Sequence, residues 1–109
     1  MVSNTDDHLR NHGFLLTPNA GWRLSPAYDM NPVPGSSGLS LNIDESDNAL
    51  DLDLARSVAP YFRVKKDEAT SIVERLADAI SKWNEIATSM GIGRGEQDDM
   101  ADAFLRSPT

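Results

Sequence analysis

A single apolar stripe limits what this chain can become. From Lys66 to Met90, Ala69, Ile72, Val73, Leu76, Ala77, Ile80, Trp83, Ile86, Ala87 and Met90 recur at offsets of three and four. That period places them along one side of an α-helix. It predicts one helix over about Lys66–Met90, stopped by Gly91, with the stripe facing a core rather than a partner. Ahead of it, Leu52, Leu54, Val58 and Tyr61 suggest a shorter helix with Asp51 as its N-cap, and Pro60 blurs its end. Behind it, Met100, Ala103 and Phe104 line a last helix over about Glu96–Leu105. There are no internal repeats.

The first half of the chain follows other rules. Phe14-Leu15-Leu16-Thr17 and Trp22-Arg23-Leu24-Ser25 are short apolar or alternating runs separated by Pro18-Asn19-Ala20-Gly21. Turn chemistry between two such runs predicts a β-hairpin over residues 12–26. Pro26, Pro32, Pro34, Gly35, Ser36, Ser37 and Gly38 then break any periodic element. Within that loop-rich stretch, Leu39-Ser40-Leu41-Asn42-Ile43 alternates as a short strand would. The expected fold is mainly α with a small β-hairpin. One domain fills residues 1–109: residues 1–32 hold the chemistry, 33–49 a loop and 50–106 the helical part.

Composition excludes several classes. With a net charge of −7, the 109-residue chain lacks the clustered Lys and Arg that a nucleic-acid surface needs. There is no cysteine, hence no disulfide framework or thiolate metal site. No run is long enough for a membrane span, and Met1-Val2-Ser3-Asn4 does not start a signal segment. The expected location is the cytoplasm.

The reactive groups are concentrated in Asn4-Thr5-Asp6-Asp7-His8-Leu9-Arg10-Asn11. Two carboxylates, an imidazole, a guanidinium and two amides within eight residues are too polar for a core element. Asp6 and Asn11 stand at the Asp-x₄-Asn spacing of a protein-kinase catalytic loop. There the Asp accepts the proton of the substrate hydroxyl and the Asn holds Mg²⁺. Asp29, in Tyr28-Asp29-Met30, follows one hairpin later, where that pattern places its second metal ligand.

The whole string is more specific than the spacing. Asn4 to Leu15, followed by Gly21-Trp22-Arg23-Leu24-Ser25-Pro26-Ala27-Tyr28-Asp29-Met30-Asn31-Pro32, closely resembles the carboxyl-terminal part of HipA-like kinases. These are the serine/threonine-kinase toxins of bacterial toxin–antitoxin pairs. The likeness is strongest over residues 3–32 and looser to about residue 105. It implies the helical C-terminal lobe of a kinase-like fold, with ATP and Mg²⁺ as cofactors, a protein substrate and an antitoxin protein as a possible partner. No Gly-rich phosphate loop or strand lysine precedes Asn4. The resemblance therefore implies a carboxyl-terminal fragment, inactive by itself, whose lobe-facing surface is apolar enough to drive homo-oligomers.

Carried over residue by residue, the resemblance makes Asp6 the catalytic base, and Asn11 (through its amide oxygen) and Asp29 the metal ligands. His8 stands where ordinary protein kinases place a lysine; it either donates to the γ-phosphate or shapes the loop. Arg10 is a candidate phosphate contact or a structural charge. Asp7 reads as a solvated carboxylate, His12 as a structural hydrogen-bonding residue, and Asn4 and Thr5 as capping residues. The triplet around Asp29 lacks the Phe and Gly of the common Asp-Phe-Gly signature, which agrees with the HipA-like pattern. Two other readings compete. One is a non-catalytic helical module that binds an antitoxin or another partner beside a vestigial loop. The other is a metal-dependent phosphoesterase on Asp6-Asp7-His8, disfavoured because three adjacent residues rarely hold one ion.

Overall fold

A computed structural model describes residues 1–35 and 37–104. It is mainly helical, with one two-stranded antiparallel hairpin. Strands β1 (Phe14–Thr17) and β2 (Gly21–Leu24) pair with Phe14 opposite Leu24 and Leu16 opposite Trp22. The turn follows from its residues. Pro18 presets its own backbone, Asn19 takes the positive φ of 62°, and the Ala20 amide donates to the Thr17 carbonyl at 3.1 Å. This is the pattern of a type II turn, which takes Pro second and Gly or Asn third.

The expected strand over Leu39–Ile43 does not form. Gly38 makes an isolated bridge to Ala49, and Leu39 and Ile43 donate to the Asn48 and Asp47 carbonyls at 2.8 and 2.7 Å. The Asn48 side chain donates to the Leu39 carbonyl at 2.7 Å, taking an acceptor that a ladder would use, and after Ile43 the Asp44 carboxylate takes the Ser46 and Asp47 amides, at 2.8 and 2.7 Å, and closes a tight turn.

The helices are α1 (Leu52–Val58), α2 (Lys66–Ser81), α3 (Trp83–Ser89) and α4 (Arg94–Phe104). Asp51 caps α1 by accepting from the Asp53 amide at 2.8 Å. Pro60 falls in a 3₁₀ turn over Ala59–Phe62, so Tyr61 lies beyond α1 and stays exposed. The single helix expected over Lys66–Met90 is broken at Lys82, whose φ and ψ are −91° and 8°. Two local hydrogen bonds compete with the helical ladder at this point. Ser81 Oγ donates to the Asp78 carbonyl at 2.7 Å, and Asn84 Oδ1 accepts from the Glu85 amide at 2.9 Å. Just past the break, Trp83 stacks on Phe104 of α4 with ring centroids 4.4 Å apart.

Gly91 ends α3 as the sequence predicts. At φ 80° it donates to the Thr88 carbonyl, and Ile92 donates to the Ala87 carbonyl, each at 3.0 Å; this is a Schellman stop. Helix α4 begins two residues earlier than expected, and Ser36, Leu105 and Arg106 of the expected elements lie outside the described residues. The core is small. Among the described residues the buried apolar side chains are Ala69, Ala87 and Ala103, while Leu76, Ile86 and Met90 of the stripe remain exposed. The stripe is thus only partly a core face. No helix is long and apolar enough to cross a membrane, among the described residues.

Candidate active site

The hairpin returns the chain to where it started. Its Ser25 amide donates to the Gly13 carbonyl at 2.8 Å, and beyond it the Tyr28 hydroxyl donates to the Arg10 carbonyl at 3.1 Å. These bonds set residues 28–31 beside the 3₁₀ turn Leu9–Asn11. Asn11 and Asp29, 18 residues apart, then meet: Asn11 Nδ2 donates to Asp29 Oδ2 at 2.8 Å.

Asp29 is held from three sides. Besides Asn11, Asn31 Nδ2 donates to Asp29 Oδ1 at 3.0 Å, and Asn4 Nδ2 donates to the Asp29 carbonyl at 3.2 Å. Its φ of 54° is left-handed, a conformation that Asp tolerates better than most residues but that still costs energy. A strained backbone persists where its surroundings over-determine it, and such positions cluster at functional sites. Three asparagine amides supply that constraint here. Asn4 was expected to cap backbone groups, and it does so. Asn31 had no place in the sequence reading, although an Asn two residues after an Asp and just before Pro32 is an Asx-type signal.

The orientation of Asn11 differs from the expectation. Its oxygen was expected to face Asp29, but its nitrogen does. Asn11 Oδ1 accepts instead from the His8 backbone amide at 3.1 Å. Since an amide beside a carboxylate donates its N–H, the His8 amide and the Asp29 carboxylate fix the same rotamer from opposite ends.

His8 is half-buried, and its Nδ1 is buried with no hydrogen-bond partner among the described residues. Asp7 is not simply solvated: its Oδ1 lies 2.9 Å from His12 Nε2. That pair gives His12 the structural role foreseen for it. Asp6 and Arg10 are exposed, and neither side chain enters a hydrogen bond or ion pair among the described residues. The geometry thus joins Asn11 to Asp29, places His8 against Asn11 through the backbone, and leaves Asp6 and Arg10 open to solvent.

The residue types suit a hard cation, and Asn11 and Asp29 can share one only with the Asn11 amide turned so that Oδ1, not Nδ2, faces Asp29. Mg²⁺ is bound by oxygen, commonly through one or two carboxylates together with substrate phosphates rather than by an all-protein cage. Asp29 offers two carboxylate oxygens, each engaged by a single N–H, and Asn11 Oδ1 keeps a second lone pair. Among the described residues no group of three or more His, Asp or Glu side chains could hold a metal by itself.

No curated protein and no solved structure matches the chain. One family does, described as the HipA-like C-terminal domain, over residues 1–84. That range holds the catalytic-loop string, the hairpin, Asp29 and α2. The chain belongs to the family of HipA-like C-terminal domains.

Proposed function

We propose that the chain carries the proton-accepting and metal-holding part of a HipA-like serine/threonine kinase, which transfers the γ-phosphate of ATP to a protein hydroxyl. The contact between Asn11 and Asp29 supports this most directly, because it joins the two metal-ligand positions of the kinase pattern across a hairpin. In this reading Asp6 accepts the proton of the substrate hydroxyl, a task for which an exposed carboxylate with no partner among the described residues is suited. Asn11, with its amide turned so that Oδ1 faces Asp29, and Asp29 would hold Mg²⁺, which would supply charge neutralisation at the phosphates of a bound ATP. Arg10 and His8 are the remaining groups able to steady a phosphate. The reading includes a toxin–antitoxin context, with an antitoxin protein as partner.

The test uses Mn²⁺ as a paramagnetic probe, added with ATP to the purified protein. The Asn11 side-chain amide and the Asp29 backbone NMR signals should broaden first, and Asp29→Asn should abolish that preference. Broadening spread evenly over the acidic surface, or unchanged in Asp29→Asn, would refute the assignment.

One observation favours a second reading, in which the chain is an interaction module. Cross-strand pairing puts Phe14, Leu16, Trp22 and Leu24 on one face of the hairpin, and they are 62%, 65%, 70% and 64% exposed. An apolar face so uncovered is what a partner-binding surface presents. A partner retained equally by the wild type and by an Asp6→Ala, Asp29→Ala double variant would favour this reading over the first.

A further inference from the structure

The loop ahead of α1 and the far end of that helix enclose a groove of about 630 Å³, lined in part by Ile43, Asp44, Glu45, Val58, Tyr61 and Phe62. Its two rings are strongly exposed, Tyr61 at 86% and Phe62 at 71%. Both belong to the 3₁₀ turn that Pro60 imposes after α1. Opposite charge is absent from the groove: no Lys or Arg lines it among the described residues. Asp44 Oδ1 is occupied by the Ser46 and Asp47 amides, which hold its carboxyl below the usual carboxylate range. Asp44 Oδ2 and the Glu45 carboxylate enter no hydrogen bond or ion pair among the described residues.

We propose that this groove receives an arginine side chain carried on a peptide segment of a partner protein. Two features together select that chemistry. A guanidinium stacks on an aromatic face and at the same time presents a fork of N–H donors to carboxylates. A wholly apolar segment would cover the rings and leave two carboxylates facing it unpaired, at a desolvation cost. A nucleic acid would be repelled by the groove and by the chain's net charge of −7. A bare cation would gain nothing from the walls formed by Ile43 and Val58. The groove is formed by residues outside the Asn11–Asp29 site, so this inference stands independently of phosphoryl transfer.

A seven-residue glycine–serine peptide with blocked ends and two arginines is a sufficient probe, with citrulline replacing arginine in its control. Citrulline keeps the shape of the side chain and removes its charge. Fluorescence polarisation should show the arginine peptide binding at least tenfold more tightly than the control. The variant Asp44→Asn, Glu45→Gln should weaken binding about tenfold, since the side-chain oxygen left at position 44 would still accept the Ser46 and Asp47 amides and keep the loop in place. Tyr61→Ala, Phe62→Ala should weaken it several-fold, and Asp98→Asn, Asp99→Asn on α4, which removes the same charge elsewhere, should leave it unchanged. Amide NMR spectra of each variant report whether the fold is kept. The proposal fails if the two peptides bind alike or if the groove variants bind as well as the wild type. It fails equally if the α4 control weakens binding as much as they do, or if no binding is seen at about 1 mM peptide.

Discussion

Asn11 uses both ends of its amide, accepting from the His8 backbone and donating to Asp29. Replacing it by Asp separates the two roles. Asn11→Asp keeps an acceptor for the His8 amide but sets a second carboxylate against Asp29. Two like charges in one place raise the pKa of one of them in the folded state. The native variant then binds more protons than the unfolded chain through the carboxylate range, so its stability falls as pH rises and recovers on acidification. Because the site is open to solvent, we expect the variant to lose about 1 kcal/mol relative to wild type at pH 7, and almost nothing at pH 3. Urea unfolding at the two pH values checks this, and an equal loss at both would mean that packing, not charge, governs the contact. At this scale the sequence was legible in residue types and opaque in orientation. Spacing and likeness pointed to Asn11 and Asp29 as a pair, and the two do meet, whereas the rotamer of Asn11 depends on two neighbours that meet only after the hairpin has folded.

Elements were legible where local chemistry decides them. Asp51 caps α1, Pro18 and Asn19 build the hairpin turn and Gly91 stops α3, each through groups a few residues apart. The break at Lys82 was not legible, because the helical period runs straight through it and Trp83 finds Phe104 only through tertiary packing. Nor does periodicity report how much of a face is covered, since it fixes direction and not neighbours. The two tryptophans should make that difference measurable. Trp22 stands on the open face of the hairpin, 70% exposed, and Trp83 is half-buried against a ring. Trp83→Phe should leave a red-shifted emission readily quenched by acrylamide, and Trp22→Phe a blue-shifted, protected one. If the emission of Trp83→Phe instead shifts to the blue as protein concentration rises, the hairpin face is being covered by self-association.

For the molecule as a whole, the family likeness ends at residue 84, yet α4, which lies beyond it, steadies the surroundings of the site. Ser3 is buried in a left-handed conformation, and its hydroxyl donates to the Ala103 carbonyl at 2.9 Å. The Ser3 carbonyl accepts from the Val33 amide at 3.1 Å, and Asp102 accepts from the Gly35 amide at the same distance. Helix α4 thereby holds both the start of the chain and the loop that follows Asp29, and the next residue, Asn4, donates to the Asp29 carbonyl. The two ties should differ in strength. Ala103 is fully buried, so Ser3→Ala removes a buried hydrogen bond to its carbonyl and should cost about 1–2 kcal/mol. Asp102 is exposed, and water can replace it in Asp102→Ala, which should cost well under about 1 kcal/mol. Denaturant unfolding ranks the two, and hydrogen exchange reports whether the change reaches the site. Faster exchange at the His8 amide, which donates to Asn11, in Ser3→Ala, with little change in Asp102→Ala, is the expected result. Equal costs, or exchange at the site unmoved by Ser3→Ala, would mean that the hairpin and its asparagines hold Asp29 without help from α4.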